Sequence, residues 1–180
     1  MHGLSKTEIK RLFKLLNKEL EKDDVRSELY LVGGAVMCLV YETRQSTQDI
    51  DAYFKPTRQV REAANRVALQ ADLDENWLND GVKGYLSKTA DFLPYLELSH
   101  LKIFCAQAKY LLAMKCLAMR IGEEFHDLDD IRYLLRYLNI ESYDKAKNII
   151  SNYYPLDKYP QKTLCALEEL LDTNRKSEHK

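Results

Sequence analysis

The sequence predicts an α/β fold, a small mixed sheet with flanking helices followed by a C-terminal helical lobe. Up to about residue 106, short runs of strand length alternate with segments whose apolar residues recur at helical spacing. A glycine pair closes the first of those strands, at "ELYLVGG". From Gln107 onward every apolar stretch has the helical period. These observations divide the chain into an α/β core with an N-terminal helix, 1–106, and a helical lobe packed on that core, 107–180.

"SKTEIKRLFKLLNKELEKDD" opens with Ser5 and Glu8 at capping-box spacing and sets Ile9, Leu12, Phe13, Leu16 and Leu20 along one helical face. "ELYLVGG" reads as a strand, "AVMCLVYE" as a short buried helix and "DIDAYF" as a second strand. Thr57 is placed to cap the helix "RQVREAANRVALQA", and "DENWLNDGVKGYLS" mixes turn and helix signals around Trp77, a core anchor. "FLPYLELS" and "HLKIFCA" read as neighbouring strands, with Pro94 marking the first as an edge or bulged strand. Four helices follow: "QAKYLLAMKCLAMRIG", "HDLDDIRYLLRYLN", "SYDKAKNIISNYY" and "PQKTLCALEELLDT".

Composition sets limits on function. With 27 Lys+Arg against 28 Asp+Glu, no global attraction to nucleic acid or membrane is encoded, so any contact with nucleic acid is local. Cys38, Cys105, Cys116 and Cys165 lie in apolar surroundings without metal-ligand spacing and read as buried thiols of a cytoplasmic protein. The longest apolar run, Leu29 to Tyr41, is too short to span a bilayer. His100 and His126 have no partner at nucleophile or metal spacing, and a Walker motif is absent.

The stretch "LVGGAVMCLVYETRQSTQDIDAYF" carries the chemistry. Aspartate is depleted in strands, yet Asp49 and Asp51 flank Ile50 in a strand-like run. Residues i and i+2 of a strand share a face, roughly 6.5 Å apart, so both carboxylates can aim at one cation while Ile50 faces the core. Mg²⁺, or Mn²⁺, takes one or two carboxylates together with substrate phosphates. Gly33 and Gly34 let backbone N–H groups approach phosphate without a side chain in the way. Ser46 and Thr47 add hydroxyls just before the acids. Asn79 and Asp80 are candidates to line a nucleotide cleft, although a turn explains them as well.

Gly33-Gly34, a short helix and Thr47-Gln48-Asp49-Ile50-Asp51 together resemble the signature of the nucleotidyltransferase superfamily related to DNA polymerase β. More narrowly, the run is similar to small bacterial nucleotidyltransferase-like proteins that include the AbiEii toxins of toxin–antitoxin systems. The resemblance covers roughly Leu29 to Leu138. It implies a nucleotidyltransferase-type sheet and metal-dependent transfer of a nucleoside monophosphate from an NTP. It also implies an acceptor in the RNA class, such as a tRNA end, and an antitoxin protein as partner. The superfamily has Gly-Ser where this chain has Gly33-Gly34, and a third carboxylate for which Glu97 is the candidate. The same fold also serves small-molecule, antibiotic-type nucleotidyltransferases and catalytically degenerate nucleotide-binding or interaction modules.

The AbiEii-like group adds a helical lysine and a later aspartate, for which Lys115 and Asp130 are the candidates. Lys115 is the lone charge in "LLAMKCLAM", a helix apolar on every side, so its amine needs a partner or a path to water. A snorkelling amine would tolerate Lys115→Met within ~1 kcal/mol, whereas one that meets triphosphate would lose nucleotide affinity. Arg120, about 140° further round the helix, is a weaker phosphate candidate. Asp127 stands at a helix start, where carboxylates cap free N–H groups.

Overall fold

The computed structural model describes residues 3–119 and 126–177, with side chains to Asp172. Its mixed α and β architecture is the one the sequence predicts. The described elements are strands β1 (Leu4–Ser5), β2 (Ser27–Leu31), β3 (Ser46–Thr47), β4 (Ile50–Lys55), β5 (Leu78–Asn79), β6 (Phe92–Glu97) and β7 (Leu101–Ala106), with seven helices. The helices are α1 (Lys6–Lys22), α2 (Gly33–Leu39), α3 (Thr57–Ala71), α4 (Ala108–Ala118), α5 (Asp127–Tyr137), α6 (Tyr143–Ser151) and α7 (Gln161–Ser177). The chain forms two compact units, residues 1–86 with 92–106, and residues 87–91 with 107–180.

In the first unit a five-stranded sheet runs in the order β5-β4-β2-β7-β6. β2 pairs antiparallel with β4 and parallel with β7, which makes the sheet mixed. Period-two alternation decides its faces. Leu29, Leu31, Ile50, Ala52, Phe54, Leu101 and Ile103 are buried, while Glu28, Tyr30, Asp51, Tyr53, Lys102 and Phe104 take the other side. α1 and α3 pack on each other, α1 meets β7, and α3 meets β4, which fills the apolar face. Ser5 caps α1 by accepting from the Glu8 amide, and Ile9, Leu12, Phe13, Leu16 and Leu20 are fully buried, as the spacing predicts. β6 is the edge strand, and its pairing with β7 slips at Pro94 to Leu96. A proline without an N–H forces that position to the edge.

Several local expectations shift. α2 begins at Gly33 rather than after the glycines. Asp49 lies in a bend just before β4 instead of inside it. Thr57 is the first residue of α3 rather than its cap, and its hydroxyl donates to the Phe54 carbonyl. The two-residue strands β1, β3 and β5 carry no pattern of their own, because a stretch that short has no period.

The second unit is helical. Tyr110 is fully buried and meets the Tyr153 ring at 5.1 Å, and Tyr154 meets Tyr159 edge-on at 6.1 Å. Ser87 donates to the Tyr153 carbonyl at 2.6 Å and Thr89 to the Asn152 carbonyl at 2.7 Å, which ties residues 87–91 to these helices. Cys38, Cys105 and Cys116 are buried, and burial pushes the Cys105 and Cys116 thiols up to about 12. Cys165 departs from expectation and is exposed.

Candidate active site

The first unit brings Gly33, Gly34, Thr47, Asp49, Asp51 and Asn79 together at one end of the sheet. β2 ends at Leu31, and the Val32 amide donates to the Asp51 carbonyl at 3.0 Å, which sets the glycines beside the first turn of β4. Gly33 has φ +64°, a left-handed backbone that glycine adopts without penalty. A Cβ on Gly33 would stand 3.0 Å from Asp51 Oδ2, so the missing side chain is what leaves room for that carboxylate. A Cβ on Gly34 would lie 2.6 Å from Thr47 Oγ1 and 3.1 Å from Arg44 Nη1. Gly33 is called for by its left-handed backbone and Gly34 by the close approach of Thr47.

The acids are positioned from behind. The Ile50 amide donates to the Trp77 carbonyl at 2.7 Å, and the buried Trp77 indole donates to the Ala64 carbonyl at 3.0 Å. Thr47 Oγ1 donates to the Asp49 carbonyl at 3.1 Å. A hydroxyl has one hydrogen, so Thr47 acts here as the clasp of the loop rather than as a phosphate donor. Asn79 Nδ2 donates to Asp49 Oδ2 at 3.0 Å, and its Oδ1 accepts from the Gly81 amide at 3.3 Å. That pair of bonds orients the amide and holds the Asp49 carboxylate.

Other sequence candidates lie elsewhere. Ser46 points to the opposite side from Thr47, where a Cβ on Gly3 would meet its Oγ at 2.5 Å. Asp80 is engaged by Arg61 of α3, with both carboxylate oxygens within 2.8 Å of Nη2. Glu97 is 70% exposed and pairs with Lys102 at 2.8 Å. Through β7, its register partner Lys102 aligns with Glu28, three residues before the end of β2. Glu97 thus belongs to the opposite end of the sheet from Asp51, on the order of 10 Å along the strands. On the strand next to Asp51 the register partner is Asn79. An amide stands where that strand would offer a third carboxylate.

Lys115, Asp127 and Asp130 belong to the second unit and converge there. Lys115 Nζ lies 3.0 Å from Asp127 Oδ1 and 2.8 Å from Asp130 Oδ2, with all three side chains at most 10% exposed. The amine does not snorkel to water. His126, not Asp127, is the N-cap of α5, and the two aspartates sit in its first turn, whose N–H groups suit negative charge. Arg120 lies outside the described residues.

Among the described residues no group of three or more His, Cys, Asp or Glu is arranged to hold a metal. Asp49 and Asp51 offer two hard oxygen donors, which fits Mg²⁺ completed by substrate phosphates and does not fit a closed, all-protein site. Sequence reasoning missed Arg44. The signal available was a lone arginine in the loop between the glycine helix and the first acid.

A family model described as nucleotidyltransferase of unknown function (DUF6036) matches residues 7–145, about three quarters of the chain. The chain belongs to this family. The match takes in the glycine pair, both site aspartates, Asn79 and the Lys115–Asp127–Asp130 cluster. No curated protein and no solved structure matches the chain. Among the described residues no helix is long and apolar enough to cross a membrane.

Proposed function

We propose that the chain binds an NTP at Gly33–Gly34 and transfers its nucleoside monophosphate to an acceptor hydroxyl. The observation that carries this reading is the approach of Asp51 Oδ2 to the place where a Gly33 Cβ would stand, with Asp49 held beside it by Asn79. A carboxylate against bare backbone is an arrangement suited to a phosphate chain that brings its own cation. Asp49 and Asp51 would hold Mg²⁺ or Mn²⁺, which when bound supplies charge neutralisation of the phosphates and polarises the attacking oxygen.

The chain's own residues account for the rest. In the reaction the acceptor hydroxyl oxygen forms a bond to the α-phosphorus and releases its proton to solvent, the bond to the bridging oxygen breaks, and pyrophosphate leaves with the electron pair. The unobstructed amides of Gly33–Gly34, with the Arg44 guanidinium close by Gly34, would be the positive surroundings of that leaving group. Thr47 and Asn79 are positioning residues for the Asp49 loop. Lys115 and Asp130 act in stability, since the lysine's charge is already met by two buried carboxylates. An RNA acceptor such as tRNA, a role as an AbiEii-like toxin and an antitoxin partner rest on the sequence resemblance. The second reading is a nucleotide-binding module without transfer, favoured by Asn79 standing opposite Asp51.

The test compares melting curves of wild type, Asp49→Asn and Asp51→Asn with and without Mg-NTP. Wild type should gain about 2.7 kcal/mol at a hundredfold excess over Kd, and both variants should lose most of that gain. Equal ligand-induced shifts in all three proteins would remove the aspartates from the site. Incorporation of label from NTPs into RNA or metabolite fractions, lost in Asp51→Asn, separates transfer from binding alone.

A further inference from the structure

The sheet face opposite α1 and α3 is ordered in tiers, starting at the site. Asp51 stands beside Gly33. One same-face step along β4 comes Tyr53, and the register aligns it with Tyr30 of β2 and then with Phe104 of β7. Their rings form a row: Tyr53 to Tyr30 at 5.9 Å and 31°, Tyr30 to Phe104 at 4.8 Å and 10°. Phe92 of β6 meets Tyr30 edge-on at 5.2 Å. All four side chains are half-buried rather than sealed into the core. The row ends at Tyr53 on the side of β5, because β5 stops at Asn79, the partner of Asp51. The chain then turns through Gly81–Tyr85, which packs back against β4 and has open space at Gly84, where a Cβ would meet nothing within 4 Å.

The next tier is charged and bounds what can lie here. Lys55 and Lys102 line a pocket of about 560 Å³, yet Lys55 pairs with Glu28 at 2.8 Å and Lys102 with Glu97 at 2.8 Å. A nucleic-acid strand needs a run of cations left over for successive phosphates. Two lysines matched by glutamates, with Arg26 on the same lining, are too few to supply one. The face therefore suits one flat, uncharged ring system adjoining the phosphate end, rather than a continuing polyanion.

We infer that Tyr53, at the head of this aromatic row, stacks against the nucleobase of the NTP whose phosphates lie at Gly33–Gly34. The inference rests on the nucleotide reading above and extends it to the base. Tyr53 follows Asp51 by two residues, roughly 6.5 Å along the strand, so a base there lies one sugar away from phosphates held at Asp51. Stacking uses the π-face common to all bases and discriminates only weakly among them. The site should bind all four NTPs and separate them from a bare phosphate chain.

Calorimetric titration with Mg-ATP and with Mg-tripolyphosphate tests this. In Tyr53→Ala, Mg-ATP affinity should fall on the order of tenfold, the loss expected for one stacked base, with Mg-tripolyphosphate affinity unchanged. Tyr53→Phe should keep both. In Tyr53→Trp, fluorescence should be quenched by Mg-ATP and not by Mg-tripolyphosphate, a readout that stands even if the alanine variant fails to fold. Equal weakening of both ligands in Tyr53→Ala, or no quenching in a folded Tyr53→Trp, would overturn the assignment. Loss of RNA-oligonucleotide binding with Mg-ATP binding intact would overturn it in favour of an acceptor base. Wild-type protein that binds tripolyphosphate but gains nothing from the base would overturn this inference alone, and failure to bind either ligand would overturn the nucleotide reading with it.

Discussion

Two aspartate pairs in this chain stand in different settings. Asp127 and Asp130 close on Lys115 inside the helical unit, so their counter-charge is built into the fold. Asp49 and Asp51 sit at the mouth of a strand, one oriented by a neutral amide and the other set against a glycine. The first arrangement stabilises the protein alone. On the proposed reading, the second meets charge that a ligand brings. The residue type is the same in both places, and what differs is the setting: a buried lysine between two acids in one, and in the other an aspartate, Asp51, set against the bare backbone of Gly33.

The largest effect expected follows from breaking the built-in partner. Lys115→Met takes away the buried cation that lies 3.0 Å from Asp127 and 2.8 Å from Asp130, and removing one member of a buried ion cluster costs about 3–5 kcal/mol. This replaces the near-neutral outcome expected of a snorkelling lysine. Denaturant unfolding would measure it, and Lys115→Met combined with Asp127→Asn should recover part of the loss. A single variant within 1 kcal/mol of wild type would mean that the cluster does not hold the helical unit together.

How much of this was legible in the sequence differs between the two pairs. Gly33-Gly34 and Asp49-Ile50-Asp51 could be read locally, because close backbone approach and carboxylate pairing leave marks within a few residues. α1 was legible for the same reason, its period running through 17 residues. Lys115 announced a need for a partner and the family resemblance put Asp130 forward, which pairs with it at 2.8 Å; that Asp127 joins it depends on how α4 meets α5, which spacing along the chain does not encode. Glu97 failed as the third carboxylate because register across β2, β7 and β6 places it at the far end of the sheet. Arg44 and the pairing of Asn79 with Asp51 were hidden in a loop and in a two-residue strand, where no periodicity exists to be read.

Glu19 sharpens the comparison, since it is a compensated acid in the sheet-bearing unit. It is buried on α1, and hydrogen bonds from Lys22, then Gln70 and Arg66, hold its carboxyl down to about 2 against an ordinary 4.5. A depressed folded pKa gives stability that is present above the unfolded value and is lost as pH falls from about 4.5 to 2. The contribution is about 2 kcal/mol once screening around the partly exposed Lys22 and Arg66 is allowed for. Stability measured from pH 6 to pH 2 should therefore fall more steeply in wild type than in Glu19→Gln. Parallel curves would show that Glu19 is not a compensated acid of this kind.

The smallest expected effect on stability probes the backbone at Gly33 itself. Gly33→Ala forces an L side chain into φ +64°, which costs about 1–2 kcal/mol, and pushes a methyl to within 3.0 Å of Asp51 Oδ2. Gly84→Ala is the control, because its added Cβ meets nothing within 4 Å and its φ lies outside the left-handed range. Thermal melts should show Gly33→Ala modestly destabilised and Gly84→Ala within about 0.5 kcal/mol of wild type. The decisive part is the second measurement. If the space over Gly33 exists for a phosphate chain, the Mg-NTP shift should collapse in Gly33→Ala while persisting in Gly84→Ala. A Gly33→Ala protein that loses stability yet keeps the full Mg-NTP shift would make the glycine a requirement of the turn alone, and the contrast between built-in and ligand-borne charge would then rest on the aspartates.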